Sequence, residues 1–361
     1  MKVKGNILDA DGHLIERDAE LFEYLEAPYK GNESMLGFPF FPTLDGYQRG
    51  AIISRLGIHK EYTISARVWL DFLDGAGIES TVLYPTAGLA FGMIQDPTWA
   101  VPLARAYNNW FTNKFNKVSP RLKAVALVPT QDVAEGVKEL RRAVTELGMV
   151  GAVLCTNGGE LGQRKPLGHS DFWPIYEEAE RLDVPIALHG APSAGLGFNF
   201  FTRFAQTHSL EHPIAQIIQL TSMVMDGVFE KFQKLRVAYL EAGVGWVPYI
   251  MDRLDRSYEI WSGKEYKEFS DWLKKKPSDY IRSGRIFFSC EGGELTLPYA
   301  VSRIGHQALL YASDFPHETN LPRAKNEIAE LLEHKELSDE AKQGLFHDNA
   351  VRFYGPGAKL G

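Results

Sequence analysis

The sequence has only two cysteines, Cys155 and Cys290, among its 361 residues. Each lies in an apolar, strand-like run without a second cysteine nearby, so we expect buried free thiols rather than a disulfide framework or a cysteine-rich metal site. No apolar run reaches membrane-spanning length, and the N-terminus lacks the apolar core of a signal peptide. We therefore expect a cytoplasmic protein without a membrane partner.

Lysine and arginine nowhere gather into a basic stripe, and the formal net charge is −7. This balance argues against a nucleic-acid partner. Low-complexity tracts are also absent, while 45% of the residues are hydrophobic and 24% are charged. Such a composition predicts a folded chain with a large core, arranged as one large α/β domain or as two ordinary ones.

Short apolar runs alternate with segments of helical periodicity. Steps of three and four, as one buried helical face requires, separate Val133, Val137, Leu140, Val144 and Leu147. Eight strand centres can be counted, at Ile7, Val82, Val125, Val153, Ala187, Ala238, Phe288 and Leu310. Eight parallel strands joined by helical crossovers close a (β/α)8 barrel. An open doubly wound sheet is the alternative, but no Gly-x-Gly-x-x-Gly loop follows the first strand.

Three segments interrupt this alternation. Residues 16–62 are rich in glycine, proline and aromatic side chains, and long loops usually cover a site, so we expect a lid or a loop packed on a neighbouring subunit. A glycine-rich loop leads to a helix expected from Pro213 to Met225, and two helices near 321–333 and 338–346 close the chain. The predicted fold is an α/β protein in one domain, residues 1–361: a distorted TIM (β/α)8 barrel with a long insertion after the first strand and extra C-terminal helices.

Ionisable residues occur where the predicted strands end. Asp11 and His13 lie two positions apart in the first strand, so their side chains leave the same side of the backbone. Later strands end in His189, Glu241, Glu291 and Asp314, with His317 shortly after. Each alone has an ordinary explanation, such as a turn residue or a helix cap. Together they favour a shared metal, because burying ionisable groups without partners costs several kcal/mol each.

At these positions the chain resembles the amidohydrolase superfamily, specifically the amidohydrolase-related branch typified by aminocarboxymuconate semialdehyde decarboxylase. The resemblance runs from Ile7 to about Tyr354. It rests on five segments, Asp9-Ala10-Asp11-Gly12-His13, Ala187-Leu188-His189-Gly190, Tyr239-Leu240-Glu241-Ala242-Gly243, Tyr249-Ile250-Met251-Asp252-Arg253-Leu254-Asp255 and Ala312-Ser313-Asp314-Phe315-Pro316-His317. Any one of them is a weak signal, whereas their order and spacing are specific.

The resemblance implies one divalent metal per chain, with zinc expected ahead of manganese. The implied metal ligands are Asp11, His13, His189 and Asp314. Asp11 stands where the commonest family motif has histidine, which moves the ligand set toward oxygen without removing the site.

Glu241 stands where the family usually has a histidine that acts as acid or base or polarises the substrate. Glu241 is therefore expected to transfer a proton, with a pKa raised by its pocket, or to orient water. Alternatively, His208 or His212 supplies the missing imidazole from a loop. A surface or helix-capping role is the favoured interpretation of both histidines.

The implied reaction is non-oxidative decarboxylation of an aromatic or unsaturated carboxylic acid, in which Glu241 or Asp314 protonates the carbon that loses carbon dioxide. One alternative is a metal-dependent hydrolase of an amide, ester, lactone or C–C bond, in which water attacks and Asp314 takes its proton. The other is a non-catalytic binding protein on the same barrel. The expected partners are a small-molecule carboxylate and further copies of the chain, in a homodimer or larger homo-oligomer.

Aromatic side chains suit a planar substrate, although core packing accounts for some of them. Arg49 and Arg203 are candidates for pairing with a substrate carboxylate, although arginine on a loop is usually solvated. The aromatic candidates are Phe38, Phe40, Phe41, Phe198, Phe200, Phe201 and Trp246.

Overall fold

The strands run parallel and form two sheets, one of three strands and one of six, and within each sheet they pair in chain order. The computed structural model describes residues 6–42, 64–156, 165–190, 196–262, 272–317 and 319–360. Within these ranges the strands are β1 (Ile7–His13), β2 (Ile78–Tyr84), β3 (Leu122–Ala124), β4 (Ala126–Leu127), β5 (Ala152–Cys155), β6 (Ile186–His189), β7 (Val237–Leu240), β8 (Ile286–Cys290) and β9 (Leu309–Tyr311). Nearly every strand residue is buried, because parallel strands are covered on both faces.

The wall of the barrel consists of eight strand positions, here called staves. β3 and β4 together form one stave, which is interrupted at Val125. The last stave meets the first beyond the end of β9, where the N–H of Asp314 donates to the carbonyl oxygen of Asp11 at 3.0 Å. The N–H of His13 donates to the carbonyl oxygen of Phe315 at 2.7 Å. The eight staves therefore close on themselves, and the predicted (β/α)8 barrel is confirmed.

The helices follow the strands along the chain. Several begin where a side chain accepts a backbone N–H of the first turn: Ser65 accepts from Val68 and Asp132 from Glu135. Their bounds are α1 (Asp18–Phe22), α2 (Ala66–Ala76), α3 (Pro97–Phe111), α4 (Val133–Thr145), α5 (Trp173–Leu182), α6 (Phe204–Met225), α7 (Val228–Lys231), α8 (Val247–Trp261), α9 (Pro277–Ile281), α10 (Leu297–Ile304), α11 (Leu321–Glu333), α12 (Asp339–Gln343) and α13 (Asn349–Tyr354).

The start predicted for α6 is wrong. Pro213 lies within this helix, which begins at Phe204, and the N–H of Arg203 donates to the side chain of Gln206 at its start. Proline lacks the N–H that a helix interior uses, and its ring presses on the carbonyl four residues earlier, so the sequence favours a start at Pro213. As a consequence, His208 and His212 lie on a helix rather than on a loop.

Other helices differ less from their predicted bounds. The helix expected near 338–346 is α12 followed by Gly344–Asp348, and α3 is followed by a wider turn over Thr112–Asn116. α10 and α13 were not predicted, whereas α11 has the predicted bounds. Both cysteines are free and buried, as expected.

The described part of the insertion packs against α3. The N–H of Phe40 donates to Asp18, and the indole N–H of Trp99 donates to the carbonyl oxygen of Phe40. The rest of the predicted lid, residues 43–62, lies outside the described residues, so the lid and the single-domain organisation stay predictions. Along the stretches that the structure describes, no helix is both long and apolar enough to cross a membrane.

Candidate metal centre and active site

The ends of β1, β6 and β9 bring the four predicted ligands together. The Nε2 atoms of His13 and His189 lie 3.2 Å apart, and both residues are fully buried. The Asp11 carboxylate oxygens lie 3.5 Å from Nε2 of His13 and 3.7 Å from Nε2 of His189. Oδ1 of Asp314 lies 3.6 Å from Nε2 of His13. Residues separated by more than 300 positions in the sequence thus share one small volume.

The backbone fixes how both imidazoles face this volume. Nδ1 of His13 bonds the carbonyl oxygen of Pro85 at 2.8 Å, and Nδ1 of His189 bonds that of Gly190 at 2.7 Å. A carbonyl only accepts, so each Nδ1 carries the hydrogen and each Nε2 presents a lone pair. Burial, with His317 and His189 nearby, also holds the pKa of His13 well below its ordinary value. Neutral imidazoles with a fixed Nδ1 are the form that binds metals.

Asp11 supplies the test of whether these residues fit a cation. Its side chain is 1% exposed, and neither carboxylate oxygen has a hydrogen-bond partner among the described residues. Burial raises the pKa of Asp11 well above its ordinary value. An unpartnered carboxylate beside two converging lone pairs is costly in a protein interior, and a divalent cation would satisfy all three groups. The donor set therefore fits one divalent metal.

Two carboxylates of the site, Glu241 and Asp314, follow their strands in the left-handed backbone region, with φ of 54° and 50°. This conformation is unfavourable for residues other than glycine and is typical of functional sites. In Glu241, the N–H donates to the hydroxyl of Ser289 at 2.7 Å, and Oε2 lies 3.0 Å from Nε2 of His189. The turn at each strand end thus directs a carboxylate toward the imidazoles.

The histidines of α6 lie beside Glu241. Nε2 of His212 is 3.6 Å from Oε1 of Glu241, whereas His208, one helical turn earlier, lies on the wall of the adjoining cavity. A side chain at Gly190 would collide with His212, because its Cβ would lie 2.5 Å from that ring. The surface or helix-capping interpretation of His212 is therefore wrong, since this residue is buried in the interior of α6.

A cavity of about 260 Å³ opens beside Asp11, Glu241 and Asp314. Its wall also includes Glu291, which the sequence placed at a strand end, and one arginine, Arg323 at the start of α11. Nε of Arg323 lies 3.3 Å from Oε1 of Glu327, which is another wall residue. Apart from Arg323 and the two α6 histidines, the ionisable side chains of the described wall are therefore carboxylates, alongside neutral residues such as Ser289 and Thr319.

None of the aromatic candidates is among the described residues that line this cavity. Phe40 and Phe41 are buried in the core, whereas Phe38 and Phe200 are 74% and 88% exposed. Phe198 and Phe201 stack on each other, and Trp246 packs edge-on against Phe288. Arg203 precedes α6 and is exposed, and Arg49 lies outside the described residues.

Two contacts of the site were not predicted. The first is the contact of His212 with Glu241. The sequence feature that points to it is the separation of four residues between His208 and His212, which places both on one helical face only when the segment is known to be helical. The second is that of His317 with Asp314, whose Nδ1 and Oδ1 atoms lie 2.8 Å apart. Its signal is the spacing of three residues across a tight turn.

A closed barrel of parallel strands with imidazole and carboxylate donors at its carboxyl ends defines a metal-dependent (β/α)8 barrel enzyme. The chain belongs to the amidohydrolase family, whose model, described as "Amidohydrolase", matches residues 65–355. The predicted family is confirmed.

The chain is also similar to curated decarboxylases and, in its fold, to a solved structure. The chain is 28% identical over 292 residues to a gamma-resorcylate decarboxylase of Polaromonas sp., covering 78% of this chain and 85% of the relative. It is 24% identical over 272 residues to a 2-amino-3-carboxymuconate-6-semialdehyde decarboxylase of Dictyostelium discoideum, covering 75% and 71%. A dihydroxybenzoic acid decarboxylase of Polaromonas sp., solved with manganese and 2-nitroresorcinol, matches 97% of each chain with 23% identity and a TM-score of 0.70.

Proposed function

We propose that this protein is a metal-dependent, non-oxidative decarboxylase of aromatic or unsaturated carboxylic acids. The observation that carries the proposal is the buried Asp11 carboxylate, which faces the lone pairs of His13 and His189. Two curated relatives, decarboxylases of gamma-resorcylate and of an aminocarboxymuconate semialdehyde, support the carboxy-lyase reaction.

Asp11, His13, His189 and Asp314 would hold one divalent metal. When bound, it would supply a Lewis acid that binds the substrate carboxylate with a neighbouring oxygen and withdraws electrons from the reacting carbon. We propose manganese rather than the zinc expected from the sequence, because half of the donor set is carboxylate, a ligand type that suits manganese. A related decarboxylase was also solved with manganese.

Glu241 is the proposed proton donor. Its proton adds to the carbon that bears the substrate carboxylate, the bond to the carboxylate then breaks, the electron pair stays on the substrate, and carbon dioxide leaves. Glu241 suits this role better than Asp314, because Asp314 would hold the metal and its Oδ1 is also bonded to His317. His212 lies 3.6 Å from the other oxygen of Glu241, the His208 ring lies edge-on to that of His212, and all three residues line the cavity.

The proposal is tested by incubating the manganese-loaded protein with 2,6-dihydroxybenzoate and 5-carboxyvanillate in heavy water. We expect release of one carbon dioxide per substrate and one deuterium at the carbon that lost it. Glu241→Gln should retain manganese, measured by elemental analysis, and lose turnover about 100- to 10,000-fold, as is typical for a lost acid catalyst. Glu333→Gln is the matched control, because Glu333 is exposed at the end of α11.

Two results would contradict the proposal. A substrate cleaved in two with uptake of water, and without loss of carbon dioxide, would assign the protein to the hydrolytic alternative. A wild-type protein that binds neither manganese nor zinc would exclude the metal-dependent reaction. We further propose a homo-oligomer in the cytoplasm, and light scattering of the purified protein checks the assembly.

A further inference from the structure

His317 lies in a turn whose backbone is held firmly beside the candidate metal centre. Its N–H donates to the carbonyl oxygen of Asp314 at 2.9 Å, which closes the turn. Between them, Phe315 is buried and stacks face to face on Phe72, with ring centroids 4.0 Å apart. The carbonyl oxygen of Phe315 also accepts the N–H of His13. The backbone of this turn therefore fixes the position of the His317 ring.

Both ring nitrogens of His317 have partners. Nδ1 lies 2.8 Å from Oδ1 of Asp314, and Nε2 lies 2.7 Å from the hydroxyl oxygen of Thr86. That hydroxyl has one hydrogen, which it donates to the carbonyl oxygen of Leu14 at 2.6 Å. Thr86 is consequently the acceptor for Nε2, and the Asp314 carboxylate, which only accepts, is the acceptor for Nδ1, so the His317 ring carries a hydrogen on both nitrogens. The His317 ring thus links Asp314, after β9, to the loop after β2.

The loop that carries Thr86 is itself held in place. The carboxylate of Glu16 accepts the backbone N–H groups of Thr86, Ala87 and Gly88 at 2.9 to 3.2 Å. A carboxylate that binds three consecutive N–H groups holds their loop in one conformation. Thr86 is therefore a rigid support rather than a mobile surface hydroxyl.

The face of His317 also contacts a second predicted ligand. Its ring stacks on that of His13, with centroids 4.1 Å apart and planes 28° apart. Asp314, in contrast to the buried His13, has a partly exposed side chain on a left-handed backbone. Among the described contacts of its carboxylate, that with His317 is of hydrogen-bond length, whereas that with His13 is longer, at 3.6 Å.

We propose that His317 is a positioning residue that fixes the Asp314 carboxylate, and supports the His13 ring, in the orientation that binds the metal. This inference rests on the proposed function, because it assigns His317 a role toward the metal that Asp314 would hold. Residues that orient metal-binding carboxylates and imidazoles typically contribute about 10- to 100-fold to metal affinity. The expected effect of removing His317 is therefore a loss of affinity with the fold intact.

The test is titration of the metal-free protein with manganese, by calorimetry, for wild type, His317→Phe and His317→Asn. Phenylalanine retains the ring on His13 but has no donor, so we expect the dissociation constant to rise about 10- to 100-fold. Asparagine places an amide donor near the former Nδ1 and should restore binding to within about 3-fold of wild type. The melting temperature of the metal-free protein should be unchanged in both.

His347→Phe is the matched control, because Nδ1 of His347 lies at the same 2.8 Å from Oδ1 of Asp348, outside the candidate site. It should bind manganese as wild type does. Should His317→Phe fail to fold, His317→Gln replaces it. Glutamine reaches the Thr86 side rather than Asp314, so it should bind manganese more weakly than His317→Asn.

Three results overturn the inference. If wild type binds manganese and His317→Phe binds it equally well, His317 does not position Asp314, while the proposed function stands. If His317→Asn is no better than His317→Phe or His317→Gln, the donor to Asp314 is not what matters. If wild type binds no metal, the proposed function fails, and the role of His317 fails with it.

Discussion

The Asp11 carboxylate is buried beside two imidazoles and lacks a hydrogen-bond partner among the described residues. We expect Asp11→Asn to stabilise the metal-free protein by about 1–3 kcal/mol, because an amide can be buried without an unpaired charge. Since burial raises the pKa of Asp11, the folded state favours the protonated acid. Stability of the metal-free wild type is therefore lost as the pH rises, and the advantage of the variant grows. Urea unfolding at pH 5 and pH 8 measures the difference in the free energy of unfolding between the variant and wild type.

With manganese bound, we expect wild type to be more stable than Asp11→Asn, the reverse of the order in the metal-free proteins. Manganese stabilises a protein that binds it by about 2.7 kcal/mol at 100 times the dissociation constant, and Asp11→Asn should lose this gain. Asp339→Asn, an exposed aspartate at the start of α12, should change stability by no more than about 0.5 kcal/mol. A metal-free Asp11→Asn protein that is less stable than wild type would show that Asp11 is satisfied without a metal.

The positions of the candidate ligands are predictable from the sequence because each ends an apolar run, where a polar residue is conspicuous. His212 is not predictable in this way. Pro213 favours a helix start, which leaves His212 on a loop, whereas α6 encloses both residues and buries the imidazole against Glu241. The sequence-based assignment failed here because packing overrode a local preference of the backbone.

At the scale of elements, most helices are predictable from their periodicity and from polar caps such as Ser65 and Asp132. Short ones such as α10 and α13 are not, because a helix of one or two turns shows too little of the pattern. Periodicity also does not distinguish a cavity wall from the core, so the sequence leaves both roles open for the aromatic residues of the insertion. Phe40 and Phe41 pack into the core.

Glu178 joins α4 to α5 through a charged pair on each side. Its carboxylate accepts from Arg181, on the same helix, at 2.6 and 2.9 Å, and from Arg141 of α4 at 2.8 and 3.1 Å. These bonds hold the pKa of Glu178 at about 2, below its ordinary value of 4.5. The stabilisation is therefore present above pH 4.5 and is lost as the pH falls toward 2.

We expect Glu178→Gln to cost about 1–2 kcal/mol at pH 7, because both arginines are half exposed and water screens the pairs. The cost should shrink as the pH approaches 2, which urea unfolding at several pH values measures. Glu177→Gln, an exposed neighbour on α5, controls for the loss of one negative charge. Equal costs at pH 7 and pH 3 would mean that packing, rather than charge, explains the effect.

At the scale of the whole molecule, the site exists only because the barrel closes. β1 and the residues after β9 supply three of the four candidate ligands, and they meet at the seam between first and last stave. The count of eight strand centres predicts closure. It does not reveal how the seam is held, because the partners are buried polar groups about 300 residues apart in the chain.

Asp9 is the buried residue that joins this seam. Its carboxylate accepts from the hydroxyl of Thr81 on β2 and from the N–H and hydroxyl of Ser313 beyond β9. We expect Asp9→Ala to cost about 3–5 kcal/mol in urea unfolding, because it leaves the buried donors of Thr81 and Ser313 and the N–H of Asp11 without their acceptor. Asp132→Ala makes the same change at the cap of α4 and should cost about 1 kcal/mol. If Asp9→Ala and Asp132→Ala lose the same free energy of unfolding, the seam does not depend on Asp9. The expected difference would show that the Asp9 carboxylate keeps the barrel closed, and the candidate site depends on that closure.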